Sequence, residues 1–228
     1  MKTANLIRWS GLAAIGAGII FASIQPVHPP DVVSSVTTGA WAIITTLKWV
    51  MCFLFMAGLT GLYARQAEKA GWLGLVGYLL FVLSWFIQTG FVFAETFIAP
   101  LLAAVSPQFI DSYLGVASMQ PGPMNVGVLV PLYGLMSALI IFGSVLFGIA
   151  TFRAHILPRW PAALLAATIV FIPVAALLPH AIQRLVGAIP MGIAVAWLGL
   201  ALFTERRAKS AEVMQDQRAA RSQASKAA

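Results

Sequence analysis

The chain has 228 residues, of which 60% are hydrophobic and only 9% charged, with a formal net charge of +7 at pH 7. Soluble domains carry about 25% charged residues, so this composition excludes an ordinary soluble fold and assigns the chain to a membrane. The basic excess does not indicate nucleic acid, because Lys and Arg fall in short segments between apolar runs and form no stripe interleaved with aromatics.

Residues 6–25 form the first apolar run, with Lys2 and Arg8 at its start and Pro26, His28, Pro29 and Pro30 at its stop. A basic start and a short apolar core also describe a signal peptide. Ala22-Ser23-Ile24 is a poor cleavage site, however, and further spans follow, so an uncleaved first helix is expected. Ala14, Gly18 and Ala22 recur every four residues, a small-residue face suited to close helix packing. Residues 26–38 make a Pro- and Ser/Thr-rich loop.

The second and third runs, about 39–63 and 72–98, are read as two helices joined by the charged elbow Ala64-Arg65-Gln66-Ala67-Glu68-Lys69-Ala70-Gly71. Residues 101–125 form the longest loop, with a short interfacial helix expected between Gln108 and Val116. Helix four is expected over about 126–151 and helix five from Trp160 to Leu178, kinked at Pro173. After a tight turn at Pro179–Arg184, helix six spans about 185–203, and residues 204–228 form a polar, basic tail with too little apolar surface to fold alone. The chain thus divides into a membrane domain, 1–203, and that tail, 204–228.

Orientation follows from charge. With a cytoplasmic N-terminus, twelve of the 14 basic residues lie inside, and only Lys48 and Arg184 do not. Both termini are therefore expected in the cytoplasm. The two inner elbows repeat an Arg-x6-Trp spacing, Arg65 to Trp72 and Arg153 to Trp160, which is read as the shared rule of basic elbows and interfacial tryptophans, with duplication the lesser reading.

Familiar catalytic motifs do not occur: there is no GxSxG elbow, Walker loop, HExxH or CxxC. The lone Cys52 lies in an apolar run and reads as a small core hydrophobe. His28 and His180, with Asp31 or Asp111, could supply metal ligands, but histidines scattered over outer loops are read as solvated. No metal or cofactor is expected.

Lys48 is different. A lysine well inside a membrane helix costs about 2.5–3.5 kcal/mol, so something must offset it. At 1.5 Å per residue, Lys48 stands about 22 Å above Tyr63, and Gln88 and Glu95 about 24 and 34 Å above Trp72. The lysine stem leans outward, toward its helix N-terminus. Its ammonium is expected to meet Gln88 or reach Glu95, with snorkelling to the headgroups as the bland alternative. Thr45, Lys48 and Cys52 share one face, as do Ser84, Gln88 and Glu95. Facing each other, the two stripes would line a pocket. The Ser and Thr residues are read as helix hydrogen-bonders only, and Lys48, Gln88 and Glu95 as a shared site.

Gly61-Leu62-Tyr63-Ala64-Arg65-Gln66-Ala67-Glu68, the Glu95-x4-Pro100 ending and Leu157-Pro158-Arg159-Trp160 together resemble a diffuse group of small bacterial membrane proteins, a domain-of-unknown-function type. The resemblance implies a six-helix protein of a bacterial inner membrane and carries no activity or catalytic residue.

The expectation is an all-α polytopic bundle of about six transmembrane spans, in contact with lipid and not nucleic acid. It is expected to bind a small ligand or membrane partner at an outward polar pocket of Lys48, Gln88 and Glu95. A small secondary transporter is the alternative. A membrane enzyme drawing on Glu95, Asp111, His180 and Lys48 ranks third. The sequence does not fix the oligomeric state.

Overall fold

The computed structural model describes residues 3–178, 182 and 185–204, and all their regular structure is helical. Four helices are long and apolar enough to cross a membrane: Asn5–Val27, Gly39–Leu102, Leu129–Ala154 and Leu185–Thr204. The expected tail and the turn holding His180 and Arg184 lie outside the described residues.

Helix α1 (Thr3–Ile24) passes into a 3-10 turn at Gln25–Val27, where Pro26 removes the next helical donor. Helix α2 (Gly39–Phe93) opens on an N-cap, the Thr38 hydroxyl accepting from the Trp41 backbone N–H at 3.2 Å. The charged elbow expected at Ala64–Gly71 does not form a loop. The helix runs on through it, and the reversal is confined to Gly71, with φ 57° and ψ −158°. Only glycine adopts that conformation cheaply, so one residue without a Cβ turns the chain.

The two arms then pack antiparallel. Phe55 stacks face to face on Trp85 with centroids 3.8 Å apart, and Tyr63 on Tyr78 at 4.6 Å. One turn farther from the elbow than Tyr63, Thr60 Oγ1 lies 3.0 Å from Tyr78 Oη. The far end of the second arm winds into a π turn, Ala94–Ile98, and a last α turn, α3 (Ala99–Leu102).

The expected interfacial helix is α4 (Pro107–Leu114), continued by a 3-10 turn at Gly115–Ser118. Helix α5 (Leu129–Ala154) ends at His155, whose φ of 56° is the left-handed stop usual at helix C-termini. Helix five of the sequence reading is two pieces, α6 (Arg159–Ala166) and α7 (Thr168–Ala176). The break lies at Ala167 and not at Pro173, which α7 includes. Thr168 Oγ1 donates to the Leu165 carbonyl at 2.8 Å and sits 2.7 Å from Ser144 Oγ of α5. A hydroxyl that binds its own preceding turn bends a helix at that point. Helix α8 (Leu185–Thr204) completes the bundle.

Glycine sets the closest approaches. The α1 stripe is used as expected: a Cβ at Gly58 would strike Ala14, and one at Gly18 would strike Gly192 and Ala196 of α8. On the other side of α2, Gly77 faces the Phe147 backbone of α5, and Gly143 of α5 faces the Phe81 backbone. Phe55, Phe81, Trp85 and Phe147 fill the core between them, all fully or nearly fully buried. Trp72, Phe86, Leu101 and Trp160 stay exposed on the perimeter, where lipid contact suits them. At the elbow end, the buried Gln66 Nε2 donates to Thr151 Oγ1 at 2.7 Å and ties α2 to α5.

Candidate functional site

The end of the hairpin opposite Gly71 carries the polar centre. Lys48 and Glu95 stand 23 and 24 residues from Gly71, on opposite arms, and therefore at nearly one depth. Lys48 Nζ donates to Glu95 Oε1 at 2.6 Å and to Oε2 at 2.7 Å. The sequence reading placed the carboxylate higher because it ended the first helix at Tyr63. Continuing that helix to the elbow removes the difference. Snorkelling is excluded: the two side chains are only 16% and 12% exposed.

The π turn is what presents Glu95. In π register the Ala99 N–H bonds the Ala94 carbonyl, and the next bond would join the nitrogen of residue 100 to the Glu95 carbonyl. Residue 100 is proline and has no N–H. The Trp41 indole fills the gap, Nε1 donating to the Glu95 carbonyl at 3.1 Å. Trp41 is wholly buried and held by the Thr38 cap, so the start of one arm fixes the end of the other.

His28 joins this pair from the loop after α1. Its Nδ1 lies 2.7 Å from the Pro29 carbonyl and its Nε2 3.1 Å from Lys48 Nζ. A proton on Nδ1 satisfies both contacts, leaving the Nε2 lone pair to accept from the ammonium. The three protons of Lys48 thus meet two carboxylate oxygens and one imidazole. Asp31 Oδ1 lies 3.8 Å from His28 Nδ1, and the Trp41 ring packs edge-on to the imidazole at 5.8 Å. The expectation of a solvated His28 is overturned, since its side chain is 5% exposed. His28, Asp31 and Glu95 bring one ligand atom each within 4.8 Å of one another, a spacing that suits a metal ion, but the Lys48 ammonium already supplies a cation there.

Above this floor lies a cavity of about 260 Å³, walled by Phe21, Gln25, Phe91, Tyr113 and Tyr133 together with His28, Asp31, Lys48, Gln88 and Glu95. Tyr113 Oη donates to the Phe91 carbonyl at 2.6 Å. Burial pushes its phenol well above the usual range, and the Glu95 carboxylate adds to the shift, so the donor stays protonated. A second chamber of about 200 Å³ continues toward the core past Lys48 and Gln88, walled by Phe21, Ile24, Met51, Trp85, Met136 and Ile140.

All three expected site residues line the upper cavity. Of the other residues on the two stripes, Thr45 donates to the Trp41 carbonyl at 2.9 Å and Ser84 to the Phe81 carbonyl at 2.7 Å, as helix hydrogen-bonders. Cys52 is buried. Of the acid–base set considered for an enzyme, Glu95 and Lys48 meet in the site, Asp111 is exposed and is not among the cavity residues, and His180 lies outside the described residues. Sequence reasoning missed His28, Asp31, Gln25, Tyr113 and Tyr133 as walls of the site. The one available signal was the His28-x2-Asp31 spacing within a proline-stiffened loop. No protein-family model, curated protein or solved structure matches the chain.

Proposed function

We propose that this is a non-enzymatic multi-pass protein of a bacterial cytoplasmic membrane that binds a small ligand or a membrane partner in the cavity over Lys48. Six crossings are counted as α1, the two arms of α2, α5, the α6–α7 pair and α8. The charge asymmetry supports a cytoplasmic position for both termini and an outward-facing Lys48 cavity. Reporters fused after Lys69 and after Arg159 should therefore read cytoplasm, and fusions near Ser35 and Gln120 should read outside. A cytoplasmic signal at Gln120 would overturn the six-crossing map.

One observation carries the binding reading: an ion pair saturated by His28 forms the floor of an open cavity and is not sealed inside packed side chains. A charge pair kept only for folding has no need of adjacent space, whereas convergent polar groups in a concave apolar wall are what small ligands use. Transport is the second reading, and the lower chamber favours it by extending the space past Lys48 toward the core.

Thermal melts of the full chain against a panel of small polar and zwitterionic molecules test the proposal. A bound ligand at about 100 times its Kd should stabilise the fold by about 2.7 kcal/mol. The shift should vanish in the Lys48→Met/Glu95→Gln double variant. A shift that survives in that variant would move the site elsewhere, and uptake of the same ligand into proteoliposomes would favour transport.

A further inference from the structure

The lower chamber holds polar groups that the ion pair does not use. Gln88 lines both chambers at their junction, and its amide has no hydrogen-bond partner among the described residues. It lies seven residues nearer the elbow than Glu95, about 10 Å deeper along the same arm. One turn further, the ring of Trp85 forms part of the lower wall and is 2% exposed. An amide at membrane depth is costly without a partner. Phe21, Ile24, Met51, Met136 and Ile140 supply the apolar part of the wall, and Gln25, Lys48, Tyr133 and Ser137 join Gln88 on its polar part. Apolar cavities of about 150 Å³ take a benzene-sized ring, and this one measures about 200 Å³.

Resting on the binding reading above, we propose that the lower chamber is the recognition subsite for a compact cyclic molecule bearing a neutral carboxamide or ketone-type carbonyl. The ring fills the space between Phe21, Trp85 and Met136. The carbonyl oxygen accepts from the Gln88 amide N–H, and a carboxamide donates in return to the Gln88 carbonyl oxygen. The head group is neutral for an electrostatic reason. The Lys48 ammonium is consumed by Glu95 and His28, so an anion at the junction would gain no free cation and would face the Glu95 carboxylate.

Benzamide, benzoate and toluene are the probes, titrated calorimetrically into the full chain in detergent. Benzamide should bind once per chain, at least tenfold more tightly than toluene or benzoate. Gln88→Leu should remove the preference over toluene while toluene binding persists. Met136→Trp, which fills the chamber, should abolish binding of all three probes and serves as the blank for partitioning into detergent. Benzoate binding as tightly as benzamide, or a benzamide preference that survives Gln88→Leu, would overturn the subsite. Benzamide failing while the polar panel still stabilises the chain, dependent on Lys48 and Glu95, would overturn this inference and leave the upper cavity's role standing.

Discussion

Gly143→Val should lower the melting temperature by about 10 °C or more. A Cβ at Gly143 would come within about 3 Å of the Phe81 backbone, and Gly77 makes the reciprocal approach to the backbone of Phe147. Because the obstacles are main-chain atoms, no side chain can swing aside, and α5 must separate from the second arm of α2. Overpacking costs about 1–3 kcal/mol where side chains can yield and more where they cannot. For a chain of this size each kcal/mol corresponds to about 2–4 °C. Gly90→Ala is the control, since a Cβ there meets nothing within 4 Å. A melt of Gly143→Val within about 2 °C of the control would show that the helices do not cross as closely as described.

The second large effect belongs to the ion pair. Lys48→Met and Glu95→Gln should each destabilise strongly, in the range of about 3–5 kcal/mol found when one partner of a buried pair is removed. The double variant should cost less than the two single losses combined, because neither charge is left unpaired. Coupling of about 2 kcal/mol is expected, intermediate for side chains that are mostly but not wholly buried. His28→Ala, removing the third acceptor of the ammonium, should weaken that coupling. Additivity of the two single losses would mean that the contact contributes nothing to stability and that Lys48 is stabilised by water alone.

The hairpin and its charge pair were legible because lysine and glutamate inside long apolar runs carry a cost that has few remedies. Their pairing was harder to place. The depth estimate took Tyr63 and Arg65 as the end of a helix, since aromatic and basic residues mark interfaces, yet nothing in Ala64–Ala70 breaks a helix, and only Gly71 does. Measured from Gly71 the two charges come level. The His28 loop was illegible for another reason: its residues follow no period, and the position of His28 is set by the Pro29 carbonyl and the Trp41 ring, contacts that leave no pattern in the chain. The small-residue stripe of α1 was readable, but not the division of its partners between α2 and α8. The break at Ala167 goes with a local bond, Thr168 Oγ1 to the Leu165 carbonyl, but Thr45 and Thr89 make bonds of the same kind inside an unbroken helix, so a hydroxyl in the sequence does not by itself place a break.

The π turn at Ala94–Ile98 makes the aim of Glu95 a matter of counting residues. Such a turn is an α-helix with one residue too many, and each residue of an α-helix advances the side chains by about 100° around the axis. Losing a single amino acid from this segment would restore the regular spiral and swing everything on one side of the deletion by that angle relative to the other. The carboxylate would then leave the arm that carries Lys48, or Pro100 and the helix end would leave Trp41. Two descendants of this chain could therefore keep every charged residue and still differ in whether the site exists, separated by one codon whose loss a comparison of residue identities would score as a gap.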